Sequence, residues 1–428
     1  LPGSDVKAQL IGSFHAAIAA ADPRRLIGAD LELPTARRMV VVGGGKAAAS
    51  MARALEDAFP DRHFEGVVTT RYQHGLATRS IRVVEAGHPV PDDAGDQAAR
   101  DMLALAASLD REDLLLVLVS GGASSLMSCP IEPLLMSDLS ALNRELLRSG
   151  APITEMNIVR KHVSAISGGR LAAATRAQVV CLIISDVTGD DPSAIGSGPC
   201  APDPSTYADA LAIAKRYRMD LPERIATHLQ QGAAGQRAET PKPADPLFAR
   251  VENRIIAAPH QSLEAAQLYF RELGINAVLL GDTVTGEARD AAQVYAALVR
   301  EIRRYDAPFA APVALISGGE CTVTIEPGNQ TARGGRCSEF LLALALELGG
   351  LPEVYAMAGD TDGIDGSEDN AGAVIAPDTL ARAAASGLSA KTVLHDHDAW
   401  GFFDRLGDLV VTGPTRTNVN DYRVILIK

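Results

Sequence analysis

Short runs rich in β-branched residues and leucine alternate along the chain with alanine-rich stretches of helical period, and this alternation constrains the fold more than any other feature. It is the pattern of βαβ units, in which a largely parallel sheet is covered by helices. The spacing predicts strands at 39–42, 66–69, 114–119, 179–184, 254–258, 276–280, 313–316, 354–358 and 408–411. Helices are expected between them at 47–59, 94–109, 139–148, 155–166, 207–217, 263–273, 287–305 and 338–348. In open α/β sheets ligands bind beyond the carboxyl ends of the strands, so the residues that follow each strand carry the functional information.

Five of these strands run into small-residue or acidic segments. They are Gly43-Gly44-Gly45-Lys46, Ser120-Gly121-Gly122-Ala123-Ser124-Ser125, Ser185-Asp186-Val187-Thr188-Gly189-Asp190, Ser317-Gly318-Gly319-Glu320 and Gly359-Asp360-Thr361-Asp362-Gly363. Turn chemistry alone does not readily account for five such segments.

At 428 residues the chain is longer than one growing core normally supports, so two domains are expected. The weakest patterning lies at 230–246, with Pro241, Pro243 and Pro246, and sets the expected boundary: 1–240 and 241–428. A formal net charge of −13 argues against a nucleic-acid partner, whose phosphates favour a basic stripe. The five cysteines form no CxxC pair, which fits a reducing cytoplasm, and no long apolar run suggests a membrane span. A homodimer is left open.

Gly44 and Gly45 open a helix, where backbone N–H groups and Lys46 could hold a phosphate or carboxylate; a tight turn with a solvated lysine is the plainer alternative. The spacing is not that of a Walker A loop. It can be scanned as a dinucleotide fingerprint through Gly43, Gly45 and Ala48, but the second strand ends in Thr69-Thr70-Arg71 without the acid that would bind ribose. Only an NADP reading through Arg71 survives. The Ser120–Ser125 segment, including Gly121, Gly122, Ala123 and Ser124, could form a nest for nucleotide phosphates. Asp186 and Asp190 suit Mg²⁺, which takes one or two carboxylates plus the phosphates of its substrate. Exposed acids in an Asx-turn are the alternative.

Asp360 or Asp362 could orient and deprotonate a substrate hydroxyl. Arg336 opens a helix after Gly334-Gly335, a position unfavourable for a cation unless an anion partners it. Arg160 and Lys161 could also meet an anionic substrate, or line a solvated helix face. The His395–Asp398 cluster lacks an identifiable third metal ligand.

These segments in this order resemble the glycerate 2-kinase family, whose C-terminal part is the MOFRL domain and whose members often carry the name hydroxypyruvate reductase. Further matching segments are Gly87-His88-Pro89-Val90-Pro91-Asp92, Asn157-Ile158-Val159-Arg160-Lys161-His162, Gly168-Gly169-Arg170, Gly196-Ser197-Gly198-Pro199, Gly334-Gly335-Arg336 and Thr417-Asn418-Val419-Asn420-Asp421. The resemblance implies ATP- and Mg²⁺-dependent phosphorylation of the 2-hydroxyl of D-glycerate or a related small hydroxy acid. It implies a Rossmann-like N-terminal domain, an α/β MOFRL-type C-terminal domain and a site in the cleft between them. Lys46 and Arg336 match the family's main substrate or phosphate contacts; Glu320 and Arg160 are expected, from this chain's own residues, as further substrate contacts.

The chain departs from the family pattern at Cys337-Ser338, where Asn-Gln is common, at Ser167, where lysine is common, and at Arg416, where glycine is common. Two rivals follow: an NADPH-dependent hydroxypyruvate reductase using Gly43, Gly45 and Arg71, and a non-catalytic sugar-acid sensor, motivated by the altered Cys337-Ser338 pair.

Overall fold

A computed structural model describes residues 2–325, 329 and 331–428. The strands are β1 (Met39–Gly44), β2 (Phe64–Arg71), β3 (Ile81–Ala86), β4 (Leu114–Val119), β5 (Gln178–Ile184), β6 (Val251–Ala257), β7 (Asn276–Glu287), β8 (Val313–Thr322), β9 (Val354–Asp360), β10 (Gly372–Ile375), β11 (Leu409–Val410) and β12 (Asp421–Ile427). They form two six-stranded sheets, ordered β3-β2-β1-β4-β5-β6 and β11-β10-β9-β12-β8-β7.

The first sheet belongs to a unit spanning residues 23–256. Strands β1 to β5 pair in parallel. The chain moves outward from β1 through β2 to β3, then returns to β4 on the other side of β1. The carboxyl ends of β1 and β4 therefore flank the point where strand order reverses, the usual ligand crevice of such sheets. Strand β4, Leu-Leu-Leu-Val-Leu-Val, is buried throughout, as a central parallel strand covered on both faces must be.

The other unit combines residues 1–22 with 257–428. This differs from the expected division at 240, and the reason is the helix Pro2–Ala20. Its Val6, Leu10, Phe14 and Ala17 recur at helical spacing and are buried with Leu263, Phe270, Met357 and Tyr422. Each large apolar side chain so buried contributes about 1.5–3 kcal/mol, enough to fix the N-terminal segment in this unit.

Its sheet is mixed, not parallel. Strand β12 runs antiparallel to both β8 and β9, and β10 runs antiparallel to β9. Alternation along the strands covers both faces: Val313, Leu315, Ile425 and Ile427 enter one core, while Ala314, Ile316, Val424 and Leu426 enter the other. Strand β8 also continues past its predicted end at 316 to Thr322, so Ser317–Glu320 is strand and not loop. Gly319 makes this possible with φ of 112°; a Cβ there would stand 2.2 Å from the Val284 carbonyl oxygen of the bulged strand β7. Among the described residues no helix is long and apolar enough to cross a membrane.

Candidate functional site

In the 23–256 unit, the ends of β1, β4 and β5 are adjacent, with Gly44 in register with Val119 and Val119 with Ile183. The segments after them consequently share one sheet edge. Behind Gly45, the N–H groups are already occupied. Gly45 donates to the Thr69 carbonyl at 3.1 Å, Lys46 to the Gly121 carbonyl at 2.8 Å and Ala48 to Gly45 at 3.1 Å, while Ala47 donates to Ser120 Oγ at 3.0 Å. This turn is a brace against the β4 loop. The expectation that Gly44 and Gly45 cradle a phosphate through their amides is corrected accordingly: Gly44 lies inside β1 and Gly45 spends its N–H within the protein.

The β4 loop is different. Ser120 donates to Gly44 and Ala123 donates to Ser120, but the N–H groups of Gly121, Gly122 and Ser124 have no acceptor among the described residues. Gly122 takes φ of 84°, and any Cβ there would stand 2.9 Å from the His88 ring. Three open amides around a left-handed residue are an arrangement that can receive an anion. Ser124 Oγ lies 2.8 Å from Ser197 Oγ, and Ser125 Oγ donates to the Gly122 carbonyl at 3.1 Å. His88 and Ser197 stand in the matching motifs but were not among the expected site residues; only tertiary packing shows their place.

After β5, Asp190 adopts φ of 53°, and its Oδ1 is buried with no hydrogen-bond partner. Asp186, four residues earlier, is partly buried in the same loop. A carboxylate oxygen shielded from water and lacking a donor is the kind of ligand a hard cation satisfies, so these residues fit Mg²⁺. Among the described residues no three His, Cys, Asp or Glu side chains cluster as a metal cage. Mg²⁺ needs none where a nucleotide supplies the remaining oxygens.

Arg160, on the helix Ile153–Val163, donates to Asn143 Oδ1 and Asn157 Oδ1, both at 3.2 Å. Burial holds its pKa below the ordinary value, and no carboxylate pairs with it among the described residues. An anion would complete its coordination. The adjacent Lys161 is different: its ammonium is buried 3.5 Å from buried Asp203, a structural pair rather than a ligand contact.

The second cluster lies in the other unit, where register explains its geometry. Asp421, the first residue of β12, pairs with Gly319 of β8 on one side and Asp360 of β9 on the other. Into this row reaches Arg336, the first residue of the helix Arg336–Leu348. It donates from Nε to Asp421 Oδ1 at 2.7 Å, from Nη1 to Glu320 Oε1 at 2.9 Å and from Nη2 to Asp360 Oδ2 at 2.9 Å. Burial by itself would lower the guanidinium's pKa, but Asp421, Asp360 and Glu320 outweigh it and hold the pKa well above the ordinary value. Arg336 uses three of its five donors here and is 24% exposed.

Asp360 Oδ1 also accepts from the Asp362 N–H at 3.0 Å, and Asp362 Oδ1 accepts from the Ile364 N–H at 2.8 Å. Both carboxylates are buried and backbone-fixed at the carboxyl end of β9. His397, by contrast, is 3.0 Å from Glu339 Oε2, and that carboxylate also binds Arg289 at 2.6 Å. The His395–Asp398 segment is thus tied into a salt-bridge network, not a metal site.

Residues 9–230 match a domain of unknown function (DUF4147), and residues 313–421 match the MOFRL family. A D-glycerate 2-kinase of Thermotoga maritima is 36% identical over 96% of this chain and 95% of its own. The chain belongs to the glycerate kinase family. A crystal structure of the Thermotoga maritima glycerate kinase aligns with a TM-score of 0.87 at 35% identity, covering 99% of this chain and 100% of that one. A protein of Agrobacterium vitis provisionally named hydroxypyruvate reductase is 48% identical over 97% of this chain and 93% of its own.

Within the glycerate kinase family the departures at 337 and 338 turn out to be internal. Cys337 is fully buried in the core, and Ser338 donates its N–H and its hydroxyl to Asp365, which caps the helix. Burial pushes the Asp365 carboxyl up in pKa even though the Ser338 hydroxyl and two amides stabilise its charge. Both side chains serve packing and capping of the helix, so the altered pair that motivated the sensor reading has a structural explanation.

Arg416 is a backbone matter. It adopts φ of 61°, where a side chain costs about 1–2 kcal/mol and glycine costs little. Arg416→Gly is expected to stabilise the protein by about 1 kcal/mol once glycine's larger unfolded-state entropy is counted. Urea unfolding checks this, and an unchanged or lowered midpoint would mean that the guanidinium makes a compensating contact.

Proposed function

We propose that the chain is an ATP- and Mg²⁺-dependent kinase that phosphorylates the 2-hydroxyl of D-glycerate or a closely related small hydroxy acid. The observation that carries this reading is the trio of open N–H groups at Gly121, Gly122 and Ser124, beside Lys46 at the point where strand order reverses. Phosphoryl transfer asks little covalent chemistry of a protein; it asks for positioning and for charge stabilisation. The nest holds nucleotide phosphate oxygens, with the Lys46 ammonium as a countercharge. Asp186 and Asp190 would hold Mg²⁺, which neutralises charge on the phosphates when bound.

Arg336 receives the acid's carboxylate or the transferring phosphoryl group. Asp421 and Asp360 fix the guanidinium plane from buried positions, while Glu320, 54% exposed, is the partner most easily displaced by an incoming anion. Asp360 or Asp362 orients the attacking hydroxyl and accepts its proton. Arg160 supplies a second, unpaired guanidinium for anion contact.

The reductase reading has the Agrobacterium vitis name in its favour. Against it, the first-turn amides after β1 are spent internally, and β2 ends in Thr70-Arg71 with no ribose-binding acid. ADP release, coupled across three- and four-carbon hydroxy acids, separates the two. The kinase gives ADP with D-glycerate, and ³¹P NMR of the product reports the phosphorylated carbon. No ADP with any of these acids, together with loss of nicotinamide absorbance on hydroxypyruvate, would overturn the proposal. Asp190→Asn is expected to raise the Mg²⁺ concentration for half-maximal velocity by about tenfold with little change in fold, since affinity for a hard cation follows ligand charge. An unchanged Mg²⁺ titration would remove Asp190 from the metal site.

A further inference from the structure

Two residues beyond Asp421 on β12, and on the same face by strand alternation, stands Arg423. Its side chain is 1% exposed, and it is among the largest fully buried side chains of the protein. It donates from Nη2 to Asp421 Oδ2 at 2.5 Å and from Nη1 to the Gly318 carbonyl at 3.1 Å. Its guanidinium carbon lies 5.4 Å from the centroid of the Phe340 ring. Asp421, wholly buried, is thereby clamped between two arginines, with Oδ1 on Arg336 and Oδ2 on Arg423.

A buried cation is expensive to desolvate, and an apolar pair of the same size commonly serves packing at least as well. The charge count around Arg336 gives Arg423 a different use. Three carboxylates, Glu320, Asp360 and Asp421, are bonded to the two guanidinium groups, and these five groups together carry one net negative charge. Without Arg423 the same cluster would carry two, and an anionic ligand would approach Arg336 against that field. We propose that Arg423 is a positioning residue that offsets Asp421 from inside the sheet, so that Asp421 can aim Arg336 without neutralising it towards an anionic substrate. This rests on the reading of Arg336 as an anion contact.

The test uses the purified full chain and compares KM and kcat for D-glycerate and for ATP. Arg423→Gln is expected to raise the KM of the ligand that Arg336 contacts by about tenfold while kcat changes by less than about threefold. Arg423→Lys, which keeps the charge, should recover most of that loss. So should Arg423→Gln combined with Asp421→Asn, which restores the net charge of the cluster and keeps an Oδ1 acceptor for Arg336. A merely structural role would instead lower the urea-unfolding midpoint of Arg423→Gln and leave every KM of the folded protein unchanged.

A well-folded Arg423→Gln protein with parental KM values overturns the inference, as does a double variant no better than the single one. If Arg423→Gln alone fails to fold, the double variant decides: KM within about threefold of the parent supports the inference, and a rise of about tenfold or more overturns it. Arg336→Lys, measured in parallel, keeps the two readings apart. If it leaves every KM unchanged, Arg336 is not the anion contact and the proposed function itself loses that residue. If it raises a KM that Arg423→Gln does not, only the present inference falls.

Discussion

Arg336→Ala is expected to lower kcat/KM for the hydroxy acid by about a hundredfold or more, and to destabilise the fold at the same time. Both effects follow from the same three bonds. Arg336 is the shared partner of Asp421 and Asp360, whose side chains are 0% and 6% exposed. Breaking a buried ion pair costs about 3–5 kcal/mol where the remaining charge is left alone; Asp421 keeps Arg423, so a smaller loss, about 2–3 kcal/mol, is expected. The catalytic loss adds the anion contact, and a charge-assisted bidentate contact is worth more than a neutral hydrogen bond. Arg336→Lys divides the two: an ammonium keeps the charge but cannot reach Asp421, Asp360 and Glu320 in one plane. It should retain more stability than alanine while still losing much of kcat/KM. Urea unfolding and steady-state kinetics on the same preparations provide the measurement. A kcat/KM for Arg336→Ala within about twofold of the parent would remove Arg336 from the reaction.

The elements legible in the sequence are those whose pattern has a single reading. Strand β4 is an unbroken apolar run and lies at its predicted bounds, and the helix Ala288–Tyr305 begins within one residue of its expected start. Strand β12 was missed for a physical reason. Asp-Tyr-Arg-Val-Ile-Leu-Ile begins with two charges that lie buried in the centre of a sheet, a placement that local pattern argues against and that the pairing of Asp421 with Arg336 and Arg423, and of Arg423 with the Gly318 carbonyl, makes tolerable. Strand direction was equally invisible, because antiparallel pairing of β12 with both neighbours is decided by packing across the whole unit. Strand β10, four residues long, offered too few residues for a period to show, and in β3 the charges of Arg82 and Glu85 interrupt the apolar run.

The site was legible where chemistry and chain position coincide. Lys46, Arg336, Asp360 and Asp362 each follow a glycine or a strand end, which is visible in sequence. Asp421, Arg423 and His88 acquire their meaning only from register and packing. The same distinction corrects the glycine loops. Both Gly44-Gly45 and Gly121-Gly122 invite a phosphate on paper, and only the hydrogen bonds that one loop makes to the other show which of them is left with open amides.

That dependence makes Gly45→Ala a damaging substitution for stability and turnover alike in the 23–256 unit. Gly45 has φ of 136°, and a Cβ there would stand 2.1 Å from Ser120 Oγ and 2.6 Å from the Ser120 carbonyl oxygen. The second contact is with backbone, so no side-chain rotation relieves it. The β1 and β4 loops must separate, breaking the bonds from Lys46 N–H to Gly121 and from Ala47 N–H to Ser120 Oγ. Overpacking plus backbone strain predicts a loss of about 3 kcal/mol or more. Because the nest sits on the displaced loop, a shift of about 1 Å should cost about a hundredfold in kcat/KM even in the fraction that folds. Gly150 provides the comparison: its φ of 68° is also positive but lies in the milder left-handed region, and a Cβ there meets nothing within 4 Å. Gly150→Ala should therefore cost only about 1 kcal/mol and leave turnover unchanged. Equal unfolding midpoints for the two variants would show that the clash with Ser120, and with it the bracing of one loop against the other, does not set the requirement for glycine at 45.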